Sequence, residues 1–148
     1  MPFTLGPRAG CAHRSQVWGV VAALAAIGLA GCGGSDRPKT IPISGRVTID
    51  GNPPGEFGKL FFTPTRAADG YVKRPASGSF SDQGSYRVMS WAPDDGLVPG
   101  HYLVAVTPAD PATTKIPEKY HQSGTSGLEI EIPFDVKKVE FDIPVSSR

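Results

Sequence analysis

Leu128-Glu129-Ile130-Glu131-Ile132 alternates apolar and acidic side chains without a fault. A period of two marks a strand that buries one face and wets the other. The same rhythm recurs outward from this stretch in both directions. Towards the end of the chain, VEFDIPV (139–145) sets Val139, Phe141, Ile143 and Val145 on one side. Upstream, HYLVAVTP (101–108) does so with Tyr102, Val104 and Val106, and SYRVMS (85–90) with Tyr86 and Val88. In IPISGRVTID (41–50), Ile43, Val47 and Ile49 face in while Arg46 and Thr48 face out. KLFFTP (59–64) is apolar on both faces, which suits a central strand ending at Pro64. A shorter strand is expected over Ala76 to Phe80, and a brief turn over Pro117 to Tyr120 inside the long connection from Pro108 to Gly127.

Turn formers separate these runs: DGNPPGEFG (50–58), WAPDDGLVPG (91–100) and Gly84 ahead of Tyr86. No stretch after residue 40 offers apolar residues at helical spacing over three turns. About seven short strands with turns between them predict an all-β domain, an antiparallel two-sheet sandwich. Each strand buries one face only, so two layers must stack to make a core.

The first 31 residues differ from the rest: they hold Arg8 and Arg14 but no acidic residue. VWGVVAALAAIGLA (17–30) is an uncharged run of 14, short of the roughly 20 residues that span a bilayer. A basic start, a short apolar run and small residues after it describe an export signal. That run stops at Leu29-Ala30-Gly31-Cys32, which resembles the bacterial lipobox: one aliphatic residue, two small ones, then cysteine. The resemblance implies cleavage before Cys32 and a diacylglyceryl group on its thiol. Each buried CH₂ contributes roughly 0.8 kcal/mol, so several acyl chains give durable anchoring. The residue after Cys32 is Gly33 and not aspartate, which slightly favours the outer membrane over the inner. Three segments follow: 1–31 a lipoprotein signal peptide, 32–40 the lipidated cysteine with a flexible tether, and 41–148 the β-domain. The expected location is the cell envelope of a bacterium, the domain facing the periplasm or the exterior.

Cys11 falls in the segment to be removed, so the mature chain can form no internal disulfide. The mature part carries 13 basic and 14 acidic side chains, a balance that excludes a nucleic-acid footprint.

Several motifs fall into a familiar order. ISGRVTIDGNPP, KLFFTP, SFSDQGSYRV and GLVPGHYLVAV resemble the carboxypeptidase regulatory-like, or transthyretin-like, domain. The matching residues are Asp50-Gly51, Asp82, Gly84, Tyr86, Pro99, Gly100 and Tyr102. With the lipobox, IPEKYHQSGTSGLEIEI is similar to small lipoproteins abundant in planctomycetes. The resemblance implies a fold and a location, not an activity. Hydroxyisourate hydrolases share this fold but end in a Tyr-Arg-Gly-Ser type motif, whereas this chain ends IPVSSR.

Catalysis needs a nucleophile, a base and an orienting group brought together. The mature histidines, His101 and His121, show no ligand spacing and read as solvated or capping groups. Asp94-Asp95-Gly96 reads as a turn, since two carboxylates fall short of the six to eight oxygens that calcium takes. Arg46 and Asp142 lie where some surface sandwiches form a lysine crosslink, but a guanidinium is no nucleophile. Trp91 beside Asp94 and Asp95 is the candidate ligand platform, for a sugar or a peptide. The reading is thus a non-enzymatic envelope lipoprotein serving as a structural or protein-binding accessory module. Its alternative is a small-ligand or carbohydrate-binding lipoprotein that uses the Trp91 loop. No metal and no cofactor beyond the lipid on Cys32 are expected. The partners are the membrane and another envelope protein.

Overall fold

Eight strands and one 3-10 turn carry the fold in the computed structural model, which describes residues 37–148; no α-helix occurs among the described residues. The strands are β1 (Ile43–Ile49), β2 (Gly58–Ala67), β3 (Ala76–Phe80), β4 (Ser85–Met89), β5 (Gly100–Pro108), β6 (Leu128–Ile132), β7 (Val139–Glu140) and β8 (Ile143–Val145). The 3-10 turn is Glu118–His121, close to where the sequence places one. Hydrogen bonding links the strands in the order β6-β5-β2-β3-β4-β1-β7, with β8 also on β1. Residues 37–148 are all-β, with one sheet curled nearly into a barrel.

The β2–β5 ladder is the longest, running from Gly58 opposite Pro108 to Ala67 opposite Gly100. Leu60 and Phe62 from β2 and Tyr102, Val104 and Val106 from β5 point inward and are all but fully buried. Burying a side chain of this size contributes about 1.5–3 kcal/mol relative to leaving it exposed. Tyr102 brings a hydroxyl into this core, where it donates to the Val98 carbonyl at 2.7 Å. Burial pushes its pKa up to about 12.

Two expectations need correction. Pro64 does not end β2, which continues to Ala67. Pairing with β3 stops at Phe62, so Pro64 has no neighbour on that side to miss its absent N–H. The register then shifts between Pro64 and Arg66, leaving Thr65 as the extra residue of a bulge.

The last strand also differs: VEFDIPV is split in two and runs parallel to β1, so the sheet is mixed and not wholly antiparallel. The Phe141 carbonyl crosses directly over Gly45, where any Cβ would overlap it. Tyr86 donates its hydroxyl to that same carbonyl. One residue on, the Asp142 carboxylate takes the Arg46 N–H at 2.9 Å, where a ladder would use a backbone oxygen. Ile143 and Val145 are buried as expected, while Val139 and Phe141 are only half-buried.

The Asp50-Gly51 turn has positive φ at both residues, a conformation glycine adopts freely and aspartate tolerates. The Asp50 carboxylate also accepts the Ser147 N–H at 3.1 Å and the Ser147 hydroxyl. Those bonds hold its pKa below the usual range. At the opposite end, Ile41 and Leu97 bridge reciprocally, tying the chain's entry to the loop before β5. Tyr120, buried in the 3-10 turn, accepts the Ser146 N–H at 3.1 Å and stitches the long connection to the tail after β8.

Candidate functional site

Along a strand, alternate side chains leave the core, and three adjacent strands put theirs on one outer face. Register sets Phe61, Ser77 and Met89 in one row across β2, β3 and β4. The next row holds Lys59, Ser79 and Arg87. The serines of β3 are short, so the middle strand forms the floor and its neighbours the walls. The resulting open groove has a volume of about 410 Å³, and Pro93 and Asp94 also line it. Asp94 pairs with Arg87 at 3.0 Å, both largely exposed. Such a pair adds at most about 1 kcal/mol of stability. It brings a cation and a carboxylate together along the lining of the groove.

Phe61 is 43% exposed and Met89 46%. A second depression continues along the same face past Phe57, itself 61% exposed, and shares Lys59, Phe61 and Ser79. Among the described residues, three of the five large apolar side chains left exposed therefore lie on this face, alongside two cations. Most of these residues escaped the sequence reading. Its one available signal was KLFFTP: a strand apolar on both faces has an aromatic left over for the outside.

The Trp91 loop sits beside the groove. Asp95 turns its carboxylate into the loop's own backbone, accepting N–H groups from Ser90 (2.6 Å), Trp91 (3.0 Å) and Ala92 (3.0 Å). Burial raises its pKa, but these bonds together outweigh that and lower it. Trp91 is half-buried, with the Arg74 guanidinium 4.3 Å from its ring centroid. Arg74 also donates to the Ser90 carbonyl at 2.6 and 3.1 Å, locking that stacking. The platform residues thus divide: Asp94 faces the groove, Asp95 serves the loop, and Trp91 has Arg74 on one face.

His121 points Nε2 at the Ile116 carbonyl, 3.2 Å away. His101 lies between Thr65, whose hydroxyl is 2.6 Å from Nδ1, and Glu129, 3.4 Å from Nε2. Arg46 and Asp142 do meet, but through the Arg46 backbone N–H and not its side chain. Leu29, Ala30, Gly31 and Cys32 lie outside the described residues.

Comparison of the chain with protein-family models, with curated proteins and with solved structures finds no match.

Proposed function

We propose that this chain is an exported lipoprotein, held at the bacterial envelope through Cys32, whose β-domain is a non-enzymatic structural or protein-binding accessory module. The observation that carries the binding role is the outer β2–β3–β4 face, where Phe57, Phe61 and Met89 stand exposed beside Lys59 and Arg87. Aromatic, methionine and arginine side chains are the types enriched where proteins meet. The domain is read as transthyretin-like, its curled sheet taken as two layers folded over at β3–β4. Inward residues of both halves, such as Val47 and Ile143 on one side and Tyr102 and Val104 on the other, share one core. The motif order around Asp50-Gly51, Tyr86 and Tyr102 supports that reading.

A second reading, a binder of small ligands or carbohydrate, is favoured by the groove itself. Its volume falls within the range of small-molecule sites, and Phe61 offers a ring for stacking between the hydroxyls of Ser77 and Ser79 and the cations. It relocates the ligand from Trp91 towards the strands, with Asp94 common to both.

The deciding experiment places a photoreactive residue at position 79 of the full chain in its native envelope. Repeated capture of one protein supports the accessory module. No protein capture, with stabilisation of the fold by a saccharide or small anion, supports the second reading. Cys32→Ala tests the anchor independently: the membrane-bound protein should become soluble or persist as an uncleaved precursor.

A further inference from the structure

Thr65 owes its direction to the bulge in β2. The extra residue between Pro64 and Arg66 swings its side chain across to β5, where Oγ1 lies 2.6 Å from Nδ1 of His101. On the far side of the imidazole, Nε2 faces a carboxylate oxygen of Glu129 on β6 at 3.4 Å. Three neighbouring strands therefore line up a hydroxyl, an imidazole and a carboxylate. The Thr65 hydroxyl has two acceptors within reach, the His101 carbonyl at 3.2 Å and Nδ1 at 2.6 Å. The Glu129 carboxylate favours the tautomer with hydrogen on Nε2, which leaves the nearer Nδ1 lone pair to accept the Thr65 proton. A nucleophile in contact with a base that a third group orients is the arrangement that activates hydroxyls. Thr65 is exposed, so a reagent can reach it. Sequence spacing gives no sign of this, because Thr65, His101 and Glu129 lie on three separate strands.

We propose that Thr65 is an acyl-acceptor site, its hydroxyl activated by His101, with Glu129 as positioning residue, towards activated acyl esters. In the step, Thr65 Oγ1 bonds to the ester carbonyl carbon as its proton passes to His101 Nδ1. The tetrahedral adduct then expels the alkoxide or aryl oxide, which receives that proton from His101. The products are an ester on Thr65 and a free alcohol or phenol. This is one modification per chain, so it stands apart from the accessory role and from the anchor on Cys32.

The test treats the full chain with p-nitrophenyl acetate and locates the acetyl group by peptide mass spectrometry. Thr63, exposed on the same strand without a histidine partner, is the internal control. Thr65 should acetylate at least tenfold faster than Thr63, and His101→Ala should remove that advantage. Added imidazole should restore it in His101→Ala, a rescue that a merely structural histidine does not permit. Glu129→Asp should retain more of the rate than Glu129→Ala. His101→Gln serves as second variant should the alanine chain unfold. Equal labelling of Thr63 and Thr65, or an advantage that survives in both His101 variants, overturns the proposal.

Discussion

Two seams hold the sheet together in different ways. Between β2 and β5, backbone pairs with backbone from Gly58 to Ala67, and the side chains need only alternate. Between β1 and the split last strand, two short parallel ladders are interrupted, and the break between them is bridged by individual groups: the bare Cα of Gly45, the Tyr86 hydroxyl and the Asp142 carboxylate. The first seam distributes its stability over apolar area. The second adds a few polar contacts at its break, so single atoms matter there.

That contrast orders the expected effects. In the ladder, Phe62→Ala should cost about 3–5 kcal/mol, because it opens a cavity in a close-packed core. Urea unfolding would measure this, with an unchanged m-value showing that the native topology persists. In the other seam, adding one methyl group in Gly45→Ala should cost about 3 kcal/mol, since Phe141 must move away. Amide exchange should then rise at Val139–Val145 and not in β2 or β5. A loss spread evenly over both seams would break the distinction. Tyr86→Phe removes a single oxygen atom and leaves the Phe141 carbonyl without its donor, for about 1–3 kcal/mol. The Tyr86 hydroxyl is raised by burial and next by the charge of Asp142, so it should stay protonated until pH values well beyond an exposed tyrosine's.

A smaller effect belongs to the Trp91 loop. Asp95→Ala should lower stability by about 1–2 kcal/mol at neutral pH, as three N–H groups lose a charged acceptor. Because the folded-state pKa of Asp95 is depressed, its contribution is fully present above the unfolded value. It is lost as pH falls through the folded one. Wild-type and Asp95→Asn chains, compared by unfolding at pH 7 and pH 3, should therefore differ less at pH 3. Smallest of all, Phe61→Ala on the outer face should change stability by no more than about 0.5 kcal/mol. Photocapture at position 79 should nonetheless fall severalfold, separating a contact residue from a packing one.

The ladder was legible in the sequence and the second seam was not. Alternation in HYLVAVTP and LEIEI reports burial strand by strand, and it places Tyr102, Val104 and Ile130 inside correctly. It is silent on which strands lie side by side, so nothing in VEFDIPV announces a parallel partner 96 residues away in Arg46. The same limit applies to chemistry. Trp91 and its two aspartates stand out because they are adjacent along the chain. Register instead joins Lys59, Ser79 and Arg87 from three strands, as it does Thr65, His101 and Glu129. Pro64 misled for a local reason: it reads as a strand terminator, whereas here it stands beyond the last pair with β3, Phe62 opposite Ala76.

The parallel course of β1 and β8 bears on how this domain would respond to force. The chain enters this seam at Ile43 and leaves it at Val145, at opposite ends. A pull between a tether before β1 and a load on the tail would drag the two strands lengthwise past each other. Every bond from Ile43–Val139 to Ile49–Val145 would share the strain at once, instead of unzipping pair by pair as the β3–β4 hairpin would. A domain fastened to a surface and tugged from its far end is braced along the direction in which it would be pulled.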